Sequence, residues 1–184
     1  MSLSSKELTM KTPDILRKSV LASAVAFFVA LPAHGHVTIR EPHAVAGRAH
    51  FVSLVVPTEC AETTTRVRVQ IPDLIAFVMP EAVRGWQVTT QKRKLAGNEE
   101  NVHAISEIEW SGGAIPSGQY ETFEFMVRVP AQVAGPLYFK TIQTCGGKDV
   151  RWIDVPKARE KGELSHPAPA VEVVPESRLK GPAS

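Results

Sequence analysis

His36 follows Ala33-His34-Gly35 at the end of a hydrophobic leader. Ala33 and Gly35 supply the small-residue pattern that a signal peptidase selects, and a cut after Gly35 makes His36 the first residue of the mature chain. An N-terminal histidine carries two nitrogen donors, the free amine and ring Nδ1, which close a chelate ring on a metal ion. Borderline nitrogen donors in a tetragonal array suit Cu(II). A cut after Ala33 leaves His34-Gly35-His36 instead. The amine, two deprotonated amides and the third-residue imidazole would then form a square-planar set that needs nothing from the fold.

The remaining reactive residues carry weaker signals. Cys60 and Cys145 are an even pair far apart in the chain, which in an exported protein reads as a disulfide. A thiolate site for Cu(I) is the alternative, and no CxxC or methionine cluster supports it. His43, His50, His103 and His166 have neither i,i+4 nor HxH spacing and read as surface or loop residues. Glu99-Glu100 and Glu107/Glu109 read as solvated acids. Gly112-Gly113 and Gly146-Gly147 lack the following helix and lysine of a phosphate cradle, and there is no hydrolase elbow or HExxH motif.

Lys11, Arg17 and Lys18 precede an apolar run of about a dozen residues at 20–31, which suits a signal peptide and is short for a membrane span. Met10 is an alternative start. The leader holds four of the 21 basic and two of the 19 acidic residues, so the rest of the chain is balanced in charge. That balance gives no support for nucleic-acid or anionic-membrane binding. No later apolar stretch reaches spanning length. The expected organisation is a signal peptide at 1–35, one domain at 36–174 and a flexible tail at 175–184.

The elements that must position these residues are short runs cut by turn signals. Alternation or β-branched content predicts strands at 36–40, 51–56, 64–71, 75–78, 86–90, 105–110, 120–129, 137–144, 150–155 and 170–174. Residues 64–71 are the clearest case, with Val67, Val69 and Ile71 on one face and Arg66, Arg68 and Gln70 on the other. Ser111-Gly112-Gly113 is expected to end a strand, Gly97-Asn98 to lie in a charged loop, and Gly146-Gly147 to turn a hairpin. Residues 157–166 read as loose. Phe51, Trp86, Trp110, Phe123, Phe125 and Phe139 are expected core anchors. The spacing argues for an all-β, immunoglobulin-like antiparallel β-sandwich.

If 120–129 pairs with 137–144, and that strand with the next through Gly146-Gly147, Trp152 lies opposite Gln143 and Gln143 opposite Phe123. Glu121 and Trp152 then face one side and Glu124 the other; a one-residue slip would exchange the glutamates. By itself Trp152 reads as an ordinary core tryptophan.

Several pieces, in this order and spacing, resemble the YcnI-like copper-binding family. They are His36-Val37-Thr38-Ile39, Val56-Pro57 before Cys60, TTTRVRVQIP at 63–72, Gly85-Trp86 and Ile108-Glu109-Trp110. Gly118-Gln119-Tyr120, Phe123-Glu124-Phe125, Phe139-Lys140, Gln143-Thr144, Val150-Arg151-Trp152 and Pro167-Ala168-Pro169-Ala170-Val171 complete the set. The resemblance covers His36 to about Val174. It implies an exported β-sandwich holding one Cu(II) in a mono-histidine brace, with His36 as chelating terminus and Trp152 as the tryptophan beside the metal. It also implies a glutamate ligand. The family pattern often has an acid where this chain has Thr122, with Glu121 and Glu124 flanking it; face parity favours Glu121. Some relatives carry a C-terminal membrane helix; none is expected here, and the domain is expected to be free in the periplasm.

The expected function is therefore periplasmic copper trafficking or homeostasis, without enzymatic turnover, with copper and other periplasmic copper-handling proteins as partners. Two alternatives stand beside it. One is a copper monooxygenase-like enzyme with a two-histidine brace, drawing its second imidazole from His43, His50, His103 or His166. The other is a metal-free sandwich domain for protein contacts.

Overall fold

The computed structural model describes residues 35–58, 60–95, 103–157, 162 and 164–178. The signal-peptide expectation for residues 1–34, the Gly97-Asn98 loop and the tail from 179 onward lie outside the described residues.

Two sheets carry most of the chain. One has the order β1(Thr38–Ile39), β3(Ala49–Pro57), β8(Tyr120–Arg128), β5(Val78–Pro80). The other has the order β11(Lys148–Trp152), β10(Thr141–Cys145), β4(Thr64–Gln70), β7(His103–Ile115), β6(Gln87–Lys94). A small third sheet joins β2(His43–Val45), β12(Ala170–Val174) and β9(Gly135–Tyr138). The alternation in β4 buries Val67 and Val69 fully and turns Arg66, Arg68 and Gln70 away from the core. Val52, Leu54 and Val56 of β3 and Phe123, Phe125 and Val127 of β8 form the opposing inner face. Trp110 meets Phe123 at 5.1 Å between ring centroids, so the aromatic core spans both sheets. Alternating apolar positions from two facing sheets around one core make an immunoglobulin-like sandwich.

Several expectations are corrected. The 137–144 run is two strands in different sheets. β9 pairs with β12 and β10 with β4 and β11, so β8 does not pair with the strand after it. The chain crosses between sheets at Phe139 and Lys140: the Phe139 N–H donates to the Pro169 carbonyl at 2.7 Å, and the Lys140 carbonyl accepts the Gln70 N–H at 2.9 Å. Trp152 is therefore opposite Thr141, and Gln143 opposite Val150 and Val67. β7 runs through Ser111-Gly112-Gly113 because Gly112 takes a φ of 78° and Gly113 leaves its Cβ space to the Trp86 indole. Phe51 is 56% exposed because it sits on the outer face of β3, opposite Met126.

The first strand is only Thr38–Ile39, the 75–78 run becomes a strand only from Val78, and β2 is an additional strand. β2 pairs with β12 in parallel, an exception to the antiparallel pattern. Of the run at 157–166 expected to be loose, residues 158–161 and 163 lie outside the described residues, and His166 is tied to Asp154: its N–H donates to Asp154 Oδ2 at 3.1 Å and its carbonyl accepts the Asp154 N–H at 3.0 Å. Within the expected tail, Glu176–Arg178 forms a 3-10 turn and Glu176 pairs with Arg48 at 2.7 Å.

Candidate metal centre

The β10–β11 hairpin turns through Gly146 and Gly147, both in the left-handed region with φ of 52° and 79°. Two such residues are what a two-residue hairpin with the native twist requires. Its register puts Thr141, Gln143, Val150 and Trp152 on the inner face. Trp152 is buried at the strand end, with 3% exposure.

Gln143, itself buried, holds the indole in place. Its Oε1 accepts the Trp152 Nε1–H at 3.2 Å, while its amide nitrogen donates to the Pro57 carbonyl at 2.8 Å and to Thr64 Oγ1 at 2.7 Å. Both amide protons are used, as a buried side-chain amide requires. Thr64 Oγ1 lies 3.1 Å from Thr58 Oγ1 and 3.3 Å from Cys145 Sγ. The Cys60–Cys145 disulfide is formed. Neither cysteine is a free thiolate, and the soft Cu(I) alternative falls with them.

His36, half-buried, sets its ring edge-on to Trp152 at 5.5 Å between centroids. Thr38 lies opposite Val55 and Ile39 opposite Leu54. Continuing that register sets His36 beside Pro57, whose carbonyl already accepts from Gln143. The buried side chains of Val37 and Ile39 fasten the segment to the core.

Glu121 is opposite Val56 and shares the inner parity of Phe123 and Phe125. It is half-buried, and its Oε1 accepts the Thr122 N–H at 3.1 Å. Glu124 has the opposite parity and accepts from Ser53 Oγ at 2.6 Å on the outer face. The glutamates thus separate as face parity predicts, although β8 pairs with different strands from those expected.

Of the four other described histidines, His166 is the one in ring contact with Trp152, at 5.2 Å. His43 lies exposed on β2, and His103 lies exposed at the start of β7. His50 Nε2 is 3.1 Å from the Glu41 carbonyl, and burial lowers its pKa despite the raising effects of that hydrogen bond and the Glu41 charge. Sequence spacing alone did not single out His166 or Gln143. The Gln143-Thr144 pair carried a family signal, whereas His166 had none beyond its residue type.

Among the described residues, no three His, Cys, Asp or Glu side chains close into a metal cluster. The imidazole rings of His36 and His166 are in contact with Trp152, and Glu121 is a half-buried carboxylate on the inner face of the other sheet. Imidazole nitrogen with carboxylate oxygen is a donor set compatible with Cu(II).

Comparison with known proteins fits this architecture. The family described as Domain of unknown function (DUF1775) matches residues 36–173. Copper-binding protein CutI of Bacillus subtilis (strain 168) is 30% identical over 110 residues, which are 60% of this chain and 50% of that protein. The chain thus matches about half the length of that relative. The crystal structure of an uncharacterized protein from Nocardia farcinica, described as revealing an immunoglobulin-like fold, superposes with a TM-score of 0.60. It is 27% identical, and the match covers 75% of this chain and 97% of that one. With its domain matched from His36 through β12, the chain belongs to the YcnI-like family of DUF1775 domains.

Proposed function

We propose that this chain, after export to the periplasm and cleavage behind Gly35, binds one Cu(II) and serves copper trafficking. His36 contributes its new amine and ring nitrogen, Glu121 an oxygen, and Trp152 walls the site. The observation that carries this reading is the 5.5 Å contact between the His36 and Trp152 rings, which sets residue 36 at the same end of the sandwich as the tryptophan. A curated relative named as a copper-binding protein supports the choice of metal. Nitrogen donors joined by a hard carboxylate favour Cu(II) over Cu(I), which suits holding and passing on an ion better than cycling it.

Competition titration with Cu(II) tests the reading on the processed protein, a form extended by one N-terminal alanine, and the Glu121→Gln and Glu124→Gln variants. The extension removes the chelate and should weaken binding by orders of magnitude. Glu121→Gln should weaken it by about tenfold or more, and Glu124→Gln should leave it unchanged. Equal affinities for the processed and extended forms would overturn the brace. Ascorbate-driven peroxide release with turnover of a bound substrate would assign an oxygenase instead.

A further inference from the structure

The outer face of the second sheet carries a hollow of about 300 Å³. Its walls follow from strand register. Arg151 of β11 is opposite Ile142 of β10, and Ile142 is opposite Arg68 of β4, so the three form one row across the sheet. Neighbouring strands lie about 4.8 Å apart, which sets the two arginines roughly 10 Å apart with an isoleucine between them. Lys140, where the chain enters β10, and Ile153, just past β11, line the same hollow. Trp152 follows Arg151 and points to the inner face, so the sheet separates the hollow from the indole.

The charges in this hollow do not cancel. Arg68 Nη2 donates to Asp149 Oδ2 at 3.3 Å, and Asp149 Oδ1 accepts from Thr144 Oγ1 at 2.7 Å, which holds the guanidinium in place. Its Nε–H is nevertheless buried without a hydrogen-bond acceptor, which costs free energy that an incoming acceptor would recover. Among the described residues, neither Arg151 nor Lys140 has an ion-pair partner. Glu107 is the carboxylate in the lining, and its Oε1 already accepts from Gln91 Nε2 at 3.1 Å.

We propose that this hollow binds a small organic polycarboxylate, with Arg68 and Arg151 each taking one carboxylate and Lys140 adding positive charge. A guanidinium matches a carboxylate through two parallel N–H bonds, and it stays charged at any working pH. A short carbon chain bearing carboxylates at both ends spans the gap between the arginines. Its hydrocarbon then lies on Ile142 and Ile153. Those apolar side chains favour an organic anion over inorganic phosphate, which has no hydrocarbon to bury. The inference is independent of the copper reading, since it uses neither His36, Glu121 nor Trp152.

The test is calorimetric titration of the processed, copper-free protein with citrate as the probe and inorganic phosphate as the comparison. Citrate should bind saturably at one site per chain and more tightly than phosphate, and the Arg68 Nε–H resonance should shift as it binds. Arg151→Gln and Lys140→Gln should each weaken citrate binding by about tenfold, with unchanged unfolding midpoints. Arg66→Gln removes an equal charge from the same face of β4 but outside the hollow, and should leave citrate affinity unchanged. No saturable citrate binding at millimolar concentration overturns the proposal. Equal citrate affinities in Arg66→Gln and Arg151→Gln also overturn it, because the hollow would then have no special role. Phosphate bound as tightly as citrate would overturn the assignment of an organic anion.

Discussion

Gln143 accepts the Trp152 indole N–H at 3.2 Å and, through the other end of the same amide, donates to the Pro57 carbonyl on the opposite sheet at 2.8 Å. One buried side chain therefore sets both the orientation of the indole and its distance from the strand beside which His36 lies.

Replacing Gln143 by leucine keeps much of the volume and removes every polar contact. The Trp152 N–H, the Pro57 carbonyl and Thr64 Oγ1 each lose a partner in a dry environment, where an unmet polar group costs about 1–3 kcal/mol. Gln143→Leu should lower the unfolding free energy by about 2 kcal/mol or more, read from urea titration. It should also change the fluorescence of Trp152 on Cu(II) addition, compared with a Trp152→Phe control. A variant as stable as wild type would show that the amide is not a structural tie.

How much of this was legible in the sequence depends on how local each feature is. The faces of β4 followed from strict alternation, and so did the inward parity of Glu121, which is set by Phe123 and Phe125 two and four residues along the same strand. Strand pairing is not local. A hairpin between 120–129 and 137–144 is what local pattern predicts, but the chain leaves β8 for the third sheet and enters the second sheet only at Thr141. The Trp152–Gln143 bond depends on that crossing. His166 reaches the indole through main-chain bonds to Asp154, which no residue pattern marks. Phe51 lies outside the core it is expected to anchor, because an aromatic side chain says nothing about which face of an alternating strand it occupies.

Gly112 and Gly113 make a pair of substitutions with different physics. Gly112 has a φ of 78° and open space around its Cβ position, so alanine there meets only backbone strain, about 1 kcal/mol. At Gly113 the added methyl would overlap the Trp86 indole, which stands edge-on to Phe123 at 5.0 Å. A rigid ring packed against the core has little room to yield. Gly113→Ala should therefore cost about 2–3 kcal/mol and shift Trp86 emission to the red, while Gly112→Ala leaves that emission in place. Urea midpoints and emission spectra of the two variants check the contrast, and equal losses with unmoved emission would refute it.

His50 gives the fold a predictable response to acid. Burial lowers its pKa from the ordinary value of 6.5, and the Glu41 carbonyl and charge only partly offset this. Below that value the unfolded chain takes up a proton that the folded chain resists, so the unfolded state binds more protons and stability falls as the pH falls. Above it both states are neutral at this site and the contribution is level. Unfolding free energies from urea titrations between about pH 8 and about pH 5 should therefore decline on the acid side in wild type. His50→Gln should decline less, because it removes the titrating ring; groups common to both proteins cancel in the difference. Parallel profiles for the two proteins would show that His50 is as easily protonated in the fold as in the unfolded chain.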